Sequence, residues 1–93
     1  MNNNIDSIFS LSGKIIVITG AAGLLGEKHA EAVAAYGGTP VLLDLSQTAV
    51  DVLAEKLNKK YKTNAIGFTI DITNESKVRS VSNKVFKRFG KID

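Results

Sequence analysis

The chain has 93 residues, of which 44% are hydrophobic and 23% charged, and its formal net charge is +3. This length makes one small domain or part of a larger one. The absence of cysteine excludes disulfides, and with a single histidine, His29, no metal site is expected. No apolar run approaches the ~20 residues of a membrane span and no secretory signal is recognisable, so a cytoplasmic protein without a membrane partner is expected.

The first predicted unit is a polar leader, a strand and a helix. Residues 1–12 form the leader, whose apolar residues are spaced to pack against the rest of the chain: Ile5, Ile8, Phe9 and Leu11. The apolar, β-branched segment Lys14–Thr19 predicts a buried strand between two glycines, Gly13 and Gly20. A helix follows from Leu24 to about Tyr36, and its apolar stripe is predicted to contain Leu25, His29, Ala32, Val33 and Tyr36.

The second unit repeats this order of strand and helix. Thr39–Asp44 predicts a strand, and Ser46 can cap the helix that runs to about Tyr61. The residues on the apolar face of this helix follow the spacing of a helix packed on a sheet: Val50, Leu53, Ala54 and Leu57.

The third unit begins with a strand over Asn64–Asp71, in which Ile66, Phe68 and Ile70 alternate with smaller or polar residues. Thr73 or Asn74 caps the next helix, which ends at Gly90 and has a buried stripe at Val78, Val81, Val85 and Phe89. The last three residues, Lys91–Asp93, are predicted to approach a fourth strand.

The element order is therefore β-α-β-α-β-α, with crossovers long enough to join parallel strands. Right-handed crossovers place helices on both faces of such a sheet. We expect a Rossmann-like, three-layer α/β/α fold with a parallel sheet, of which residues 13–93 form the first, mononucleotide-binding half.

A glycine turn after the first strand is the strongest functional signal. Gly20, Gly23 and Gly26 are spaced three apart, after a predicted strand and at the start of a predicted helix. In this context glycines let the backbone approach a pyrophosphate, and the helix N-terminus offers unpaired N–H groups. We expect cofactor contacts from five residues of the turn: Gly20, Ala22, Gly23, Leu25 and Gly26. The alternative is a tight turn that binds no ligand.

Two carboxylates follow the second and third strands, at the same edge of the sheet. Asp44, with Leu45, lies 24 residues after the first glycine, where a carboxylate accepts hydrogen bonds from the adenosine ribose. Its charge would repel a 2′-phosphate, which favours NAD over NADP. Asp71 and Ile72 could bind the adenine. The alternatives are an exposed carboxylate or helix cap at Asp44 and a helix-capping role for Asp71.

Lysines and arginine cluster near the ends of the second and third helices, with four residues in each cluster: Lys56, Lys59, Lys60 and Lys62, then Lys84, Lys87, Arg88 and Lys91. Cations at these positions complement the negative end of a helix dipole. Nucleic-acid binding would need an aromatic platform or a continuous basic face, so no nucleic-acid partner is expected.

The segments Phe9–Gly20, Asp44-Leu45, Asp71-Ile72 and Phe89–Asp93 together resemble the N-terminal part of a short-chain dehydrogenase/reductase. The resemblance implies a parent of about 250 residues that transfers a hydride between NAD(H) and a carbinol or carbonyl carbon. It also implies the strand order 3-2-1-4, a small-molecule substrate bound through the missing C-terminal part, and a homo-oligomer.

The glycine spacing departs from the family's common pattern in one respect. The single-domain branch has T-G-x-x-x-G-x-G, whereas this chain has Leu24 at the second glycine and a glycine at position 23. The observed spacing is typical of the extended branch, which contains sugar-nucleotide epimerases and dehydratases. The leader and the Phe89–Asp93 segment favour the single-domain branch.

The family's catalytic residues are a Tyr-x-x-x-Lys pair and a serine, and this chain has no matching set. The residues four positions after its two tyrosines, Tyr36 and Tyr61, are Pro40 and Ala65. We therefore expect a cofactor-binding part without catalytic residues. A non-catalytic nucleotide-binding module stays an alternative, which the sequence beyond Asp93 would test.

Overall fold

The structure, a computed structural model, describes residues 10–71 and 73–93. Leader residues 1–9, including Ile5, Ile8 and Phe9, and the predicted adenine residue Ile72 lie outside this range. The elements in chain order are β1 (Ile15–Thr19), α1 (Leu24–Ala35), β2 (Thr39–Asp44), α2 (Gln47–Tyr61), β3 (Ile66–Thr69) and α3 (Glu75–Phe89). Described elements thus alternate between strand and helix as predicted.

The three strands form one parallel sheet in the order β1-β2-β3. In the register, Thr19 lies opposite Leu43, and Asp44 lies opposite Thr69. The carboxyl ends of all three strands therefore meet at one edge. This arrangement confirms the prediction of a Rossmann-like half with a parallel sheet.

Two apolar cores, one on each face of the sheet, hold the layers together. Alternation along β2 sends Leu42 to one face and its neighbours Val41 and Leu43 to the other. The first core contains the buried residues of α1 and α2, and the second contains Val85 of α3. The sheet is consequently covered on both sides, as a parallel sheet requires.

The predicted apolar faces of α2 and α3 are confirmed. Val50, Leu53, Ala54 and Leu57 of α2 are all buried. In α3, Val85 is buried, and its predicted partners Val78, Val81 and Phe89 are partly buried against the same core. Large apolar residues at helical spacing, between charged neighbours, make these faces recognisable.

The predicted stripe of α1 is confirmed only in part, at Val33, which is partly buried against the first core. Leu25 is 68% exposed and Tyr36 is 51% exposed, whereas the buried residues of this helix are Ala30 and Ala34. With Gly26, these two small residues recur every four positions, so the helix backbone can approach the sheet closely. Small side chains carry little hydrophobic contrast, and the larger Leu25 therefore dominated the pattern.

The strand β3 is shorter than the predicted Asn64–Asp71. Its N-terminal boundary is set by Asn58 of α2, whose side chain accepts from the Ala65 N–H (2.7 Å) and donates to the Ala65 carbonyl (3.0 Å). Past the strand, Ile70 is buried and its N–H still donates to the Asp44 carbonyl (2.8 Å). The flanking residues are thus bound by side chains and single backbone contacts rather than by a regular ladder.

The two edges of the sheet are bounded differently. At β3, the Gln47 side chain accepts from the Thr69 N–H (3.1 Å) and donates to the Gly67 carbonyl (3.4 Å), so it occupies ladder positions on the outer edge. At β1, the Asp93 N–H donates to the Ile15 carbonyl (2.7 Å), and the Asp93 carboxylate accepts from the Ile15 N–H (2.8 Å). Residue 93 therefore lies alongside the start of β1.

Ion pairs join α1 to α2 on the outer surface. Glu27 pairs with Lys56 (3.1 Å) and Glu31 with Lys60 (3.0 Å). The Tyr61 hydroxyl also donates to Glu31 (2.9 Å). The Lys60 hydrogen bond, followed by that of Tyr61, lowers the pKa of the Glu31 carboxyl. Two lysines of the first basic cluster thus bind glutamates of the neighbouring helix.

Candidate functional site

The turn that follows β1 is built by backbone contacts around Gly20. Gly20 has a φ of +63°, a left-handed conformation in which a side chain is strained. The Ala21 N–H then donates to the Leu43 carbonyl (3.1 Å), and the Gly23 N–H returns to the Gly20 carbonyl (3.0 Å). The turn is therefore fixed to β2 on one side and folded back on itself on the other.

Gly26 lets α1 approach this turn. A Cβ atom at position 26 would collide with the Gly20 carbonyl oxygen and lie 2.8 Å from the Gly20 carbonyl carbon and 2.9 Å from the Ala21 Cα. These neighbours are backbone atoms, which cannot move aside cheaply. The last glycine of the motif is therefore required by the packing of the helix on the turn.

The N-terminus of α1 is not capped by a side chain. Gly23 occupies the N-cap position with an extended backbone, and among the described residues no side chain accepts a hydrogen bond there. Unpaired N–H groups at a helix N-terminus, together with the positive end of the dipole, suit an anion. Glu27 in the first turn is neutralised in part by its ion pair with Lys56.

Asp44, at the end of β2, is joined to the glycine turn. One carboxylate oxygen, Oδ2, accepts from the Ala22 N–H (2.8 Å), and the other, Oδ1, accepts from the Leu45 N–H (2.6 Å). The structure thus brings together three of the predicted site residues. The contact with Ala22 was not anticipated, since it depends on the register of β1 and β2.

Asp71, just after β3, forms a local turn with Thr73. Its Oδ1 atom accepts from the Thr73 hydroxyl (2.7 Å) and from the Thr73 N–H (2.9 Å). These bonds, the hydroxyl first, lower the pKa of the Asp71 carboxyl, which stays ionised at neutral pH. The capping role considered for Asp71 is taken by Asn74, whose side chain accepts from the Lys77 N–H (3.2 Å).

A cleft of about 240 Å³ lies between these groups at the carboxyl edge of the sheet. Its lining contains four predicted site residues and two buried apolar residues at or just past a strand end: Gly20, Asp44, Leu45, Asp71, Leu43 and Ile70. Sequence reasoning missed Leu43 and Ile70 because they read as core, although each directly precedes a predicted carboxylate. Two carboxylates beside an apolar surface can bind a ligand that combines hydroxyl donors with a planar ring.

Leu25 and Leu45 lie at the surface. Leu45 is 71% exposed at the mouth of the cleft, whereas Leu25 projects from the first turn of α1 and does not line the cleft. Any contact of Leu25 with an anion at this turn would therefore be expected through its backbone N–H.

The described residues include no helix that is both long and apolar enough to cross a membrane.

Comparison with known proteins assigns the family. The sequence model of the short chain dehydrogenase family matches residues 14–93. The chain therefore belongs to the short-chain dehydrogenase/reductase family, and the resemblance found in its motifs is confirmed.

Individual relatives support the same assignment. A sorbose reductase of Candida albicans is 35% identical over 91 residues, which are 98% of this chain and 32% of that protein. The crystal structure of L-sorbose reductase from Gluconobacter frateurii, complexed with NADPH and L-sorbose, superposes with a TM-score of 0.86 at 28% identity. That match covers 91% of this chain and 32% of the reductase.

An NAD⁺-bound xylitol dehydrogenase has a TM-score of 0.84 at 30% identity, over 89% of this chain and 32% of that protein. This chain thus spans about a third of the length of the relatives it matches. Both NAD and NADP occur among these relatives, so family membership alone does not decide which cofactor this chain binds.

Proposed function

We propose that this chain binds the adenine half of NAD in an oxidoreductase that transfers a hydride between nicotinamide and a carbinol or carbonyl carbon. The observation that carries the proposal is the meeting of the glycine turn with Asp44 and Asp71 around one cleft. The catalytic residues and the residues that bind the small-molecule substrate would lie in further parts of the protein.

The pyrophosphate is assigned to the turn Gly20–Gly26. The uncapped N-terminus of α1 supports this assignment, since its N–H groups and dipole favour an anion. In this proposal Gly20, Ala22, Gly23, Leu25 and Gly26 contribute through their backbone, and the exposed position of Leu25 is compatible with that role.

The adenosine is assigned to the cleft beside the turn. Asp44 would accept hydrogen bonds from the ribose hydroxyls, and Leu45 would flank the nucleoside at the mouth of the cleft. Asp71 and Ile72 would contact the adenine amino group and ring, with Leu43 and Ile70 as an apolar surface.

The choice of NAD over NADP depends on Asp44. Its carboxylate would repel a 2′-phosphate at the ribose, and the next residues, Leu45, Ser46 and Gln47, supply no cation to offset the repulsion. Lys56 does not line the cleft and is paired with Glu27. These features favour NAD, although relatives of this chain use either cofactor.

The test is the substitution Asp44→Ala in the full-length protein. Affinity for NAD should fall about tenfold or more, because hydrogen bonds to a charged acceptor are lost, and the preference for NAD over NADP should narrow. Isothermal titration with both cofactors measures this.

Glu55→Ala is the matched control, since it removes the same charge from an exposed position on α2. An NAD affinity in Asp44→Ala equal to that of the Glu55→Ala control would contradict the ribose assignment.

We further propose that the full-length protein belongs to the single-domain branch of the family. Its leader and Phe89–Asp93 segment support this assignment, and the glycine at position 23 argues for the extended branch. A cytoplasmic location and a homo-oligomeric assembly stay predictions from sequence.

A further inference from the structure

The Asp44 side chain extends the pairing of β1 and β2 into the glycine turn. The last paired residues are Thr19 and Leu43, and the Ala21 N–H still reaches the Leu43 carbonyl (3.1 Å). At the next position the strands have diverged, and the Ala22 N–H donates to the Asp44 carboxylate instead (2.8 Å). A side chain of β2 thus binds an N–H group of the glycine turn beyond the last paired residues of the two strands.

We propose that Asp44 is a positioning residue for the pyrophosphate turn, in addition to its assigned role at the ribose. The inference rests on the proposed function, because it concerns the same cofactor. Ala22 lies between Gly20 and Gly23, two residues with wide conformational freedom. By holding the Ala22 N–H, Asp44 fixes the peptide that leads into the N-terminus of α1 before any cofactor binds.

The two roles are compatible in their hydrogen bonding. An ionised carboxylate offers about four lone-pair sites. The N–H groups of Ala22 and Leu45 use one site on each oxygen of Asp44. The remaining sites can accept two vicinal ribose hydroxyls, so the ribose need not displace Ala22. The bound cofactor and the fixed turn therefore reinforce each other.

The distinguishing experiment varies the protein and the ligand together. NAD is compared with its analogue that lacks the 2′- and 3′-hydroxyls of the adenosine ribose, using the full-length protein and its Asp44→Ala variant. If Asp44 acts on the ribose alone, the variant binds the analogue as the wild type does. If Asp44 also positions the turn, Asp44→Ala binds the analogue about threefold or more weakly than the wild type does, because the pyrophosphate contact is weakened.

Asp44→Asn provides rescue and guards against misfolding of the alanine variant. The asparagine side chain has one acceptor oxygen, which can still accept from the Ala22 N–H. Its other terminal atom is an NH₂ donor, so the second hydrogen bond, from the Leu45 N–H, is lost. The affinity of Asp44→Asn for the analogue should lie between those of the wild type and Asp44→Ala. If Asp44→Asn bound the analogue no more tightly than Asp44→Ala, that result would count against positioning of the turn through the Ala22 N–H.

Amide exchange at Ala22 tests the inference without cofactor. Hydrogen exchange, resolved at Ala22 by fragmentation mass spectrometry, should be about tenfold faster in Asp44→Ala. Asp71→Asn is the control, because Asp71 contacts Thr73 rather than the turn. Unchanged Ala22 exchange overturns the positioning role even if NAD binds. Failure of the wild type to bind NAD overturns the proposed function, while the exchange result still decides the positioning role.

Discussion

The first strand-to-helix turn differs from the second and third because it provides no side-chain cap for the N-terminus of the helix that follows. Ser46 caps α2 by accepting from the Ala49 N–H (3.2 Å), and Asn74 caps α3 in the same way (3.2 Å). Gly23 leaves α1 without a side-chain acceptor. The second and third turns therefore supply an acceptor for an N–H group of their own helix, whereas the first turn leaves the N–H groups at the start of α1 available to a ligand.

The two carboxylates of the site, Asp44 and Asp71, lie at the second and third turns, where the helices are capped. Asp44 and Asp71 precede the two capped helices and supply acceptors, while the first turn supplies donors. An adenine nucleotide needs both, because its phosphates accept hydrogen bonds and its ribose donates them. The difference between the turns thus matches the two ends of the ligand proposed for this edge.

Among the substitutions that test this difference between the turns, Gly26→Ala should have the largest effect on stability and on NAD affinity. The added methyl group would collide with the backbone of Gly20 and Ala21, so α1 must move away from the turn. Overpacking of this kind costs about 1–3 kcal/mol in stability. Displacement of the donors should lower NAD affinity about 100-fold. Thermal unfolding and titration of the full-length protein measure the two effects.

Gly23→Ala is the graded control for that variant. Its Cβ would lie 3.3 Å from the Gly20 carbonyl oxygen, so that this atom would need to shift far less than in Gly26→Ala, and its φ of −74° suits any residue. A Gly26→Ala protein that binds NAD as well as Gly23→Ala would show that close packing of α1 on the turn is not needed for binding.

Gly23→Asp should make the first turn resemble the other two. An aspartate at this N-cap would accept from an N–H group of the first turn of α1 and place a negative charge where the pyrophosphate is assigned. NAD affinity should fall about tenfold relative to Gly23→Ala. Stability should match or exceed that of the alanine variant, because a cap contributes up to ~1 kcal/mol. Equal NAD affinities in the two variants would argue against an anion site at this helix.

The sequence predicted the element order, the parallel sheet and the packed faces of α2 and α3, because residues such as Leu53 and Val85 contrast strongly with charged neighbours. It predicted only Val33 of the packed face of α1, which also contains Gly26, Ala30 and Ala34. Close approach of a helix requires small residues, and small residues give a weak hydrophobic pattern.

The site shows a similar division between local and long-range contacts. The positions of Asp44 and Asp71 at one edge follow from strand order, which the sequence predicts. The bond from Asp44 to Ala22 could not be predicted, since it depends on strand register and on the divergence of the chain after Thr19.

The smallest expected effect concerns the third turn and is tested by Thr73→Val. The Thr73 hydroxyl is the main cause of the lowered Asp71 pKa, so its removal should raise that pKa toward the ordinary value of 3.8. A lowered pKa in the folded state stabilises the protein at pH values above the unfolded pKa, and this contribution is lost as the pH falls through the folded pKa. The variant should thus be slightly less stable than wild type at neutral pH, and the difference should vanish in acid.

Carboxyl NMR titration and melting curves against pH measure both effects, with Ser76→Ala as the control for loss of an exposed hydroxyl. An unchanged Asp71 pKa in Thr73→Val would mean that the third turn holds its carboxylate through the backbone N–H alone, as the Asp44 carboxylate is held by backbone N–H groups.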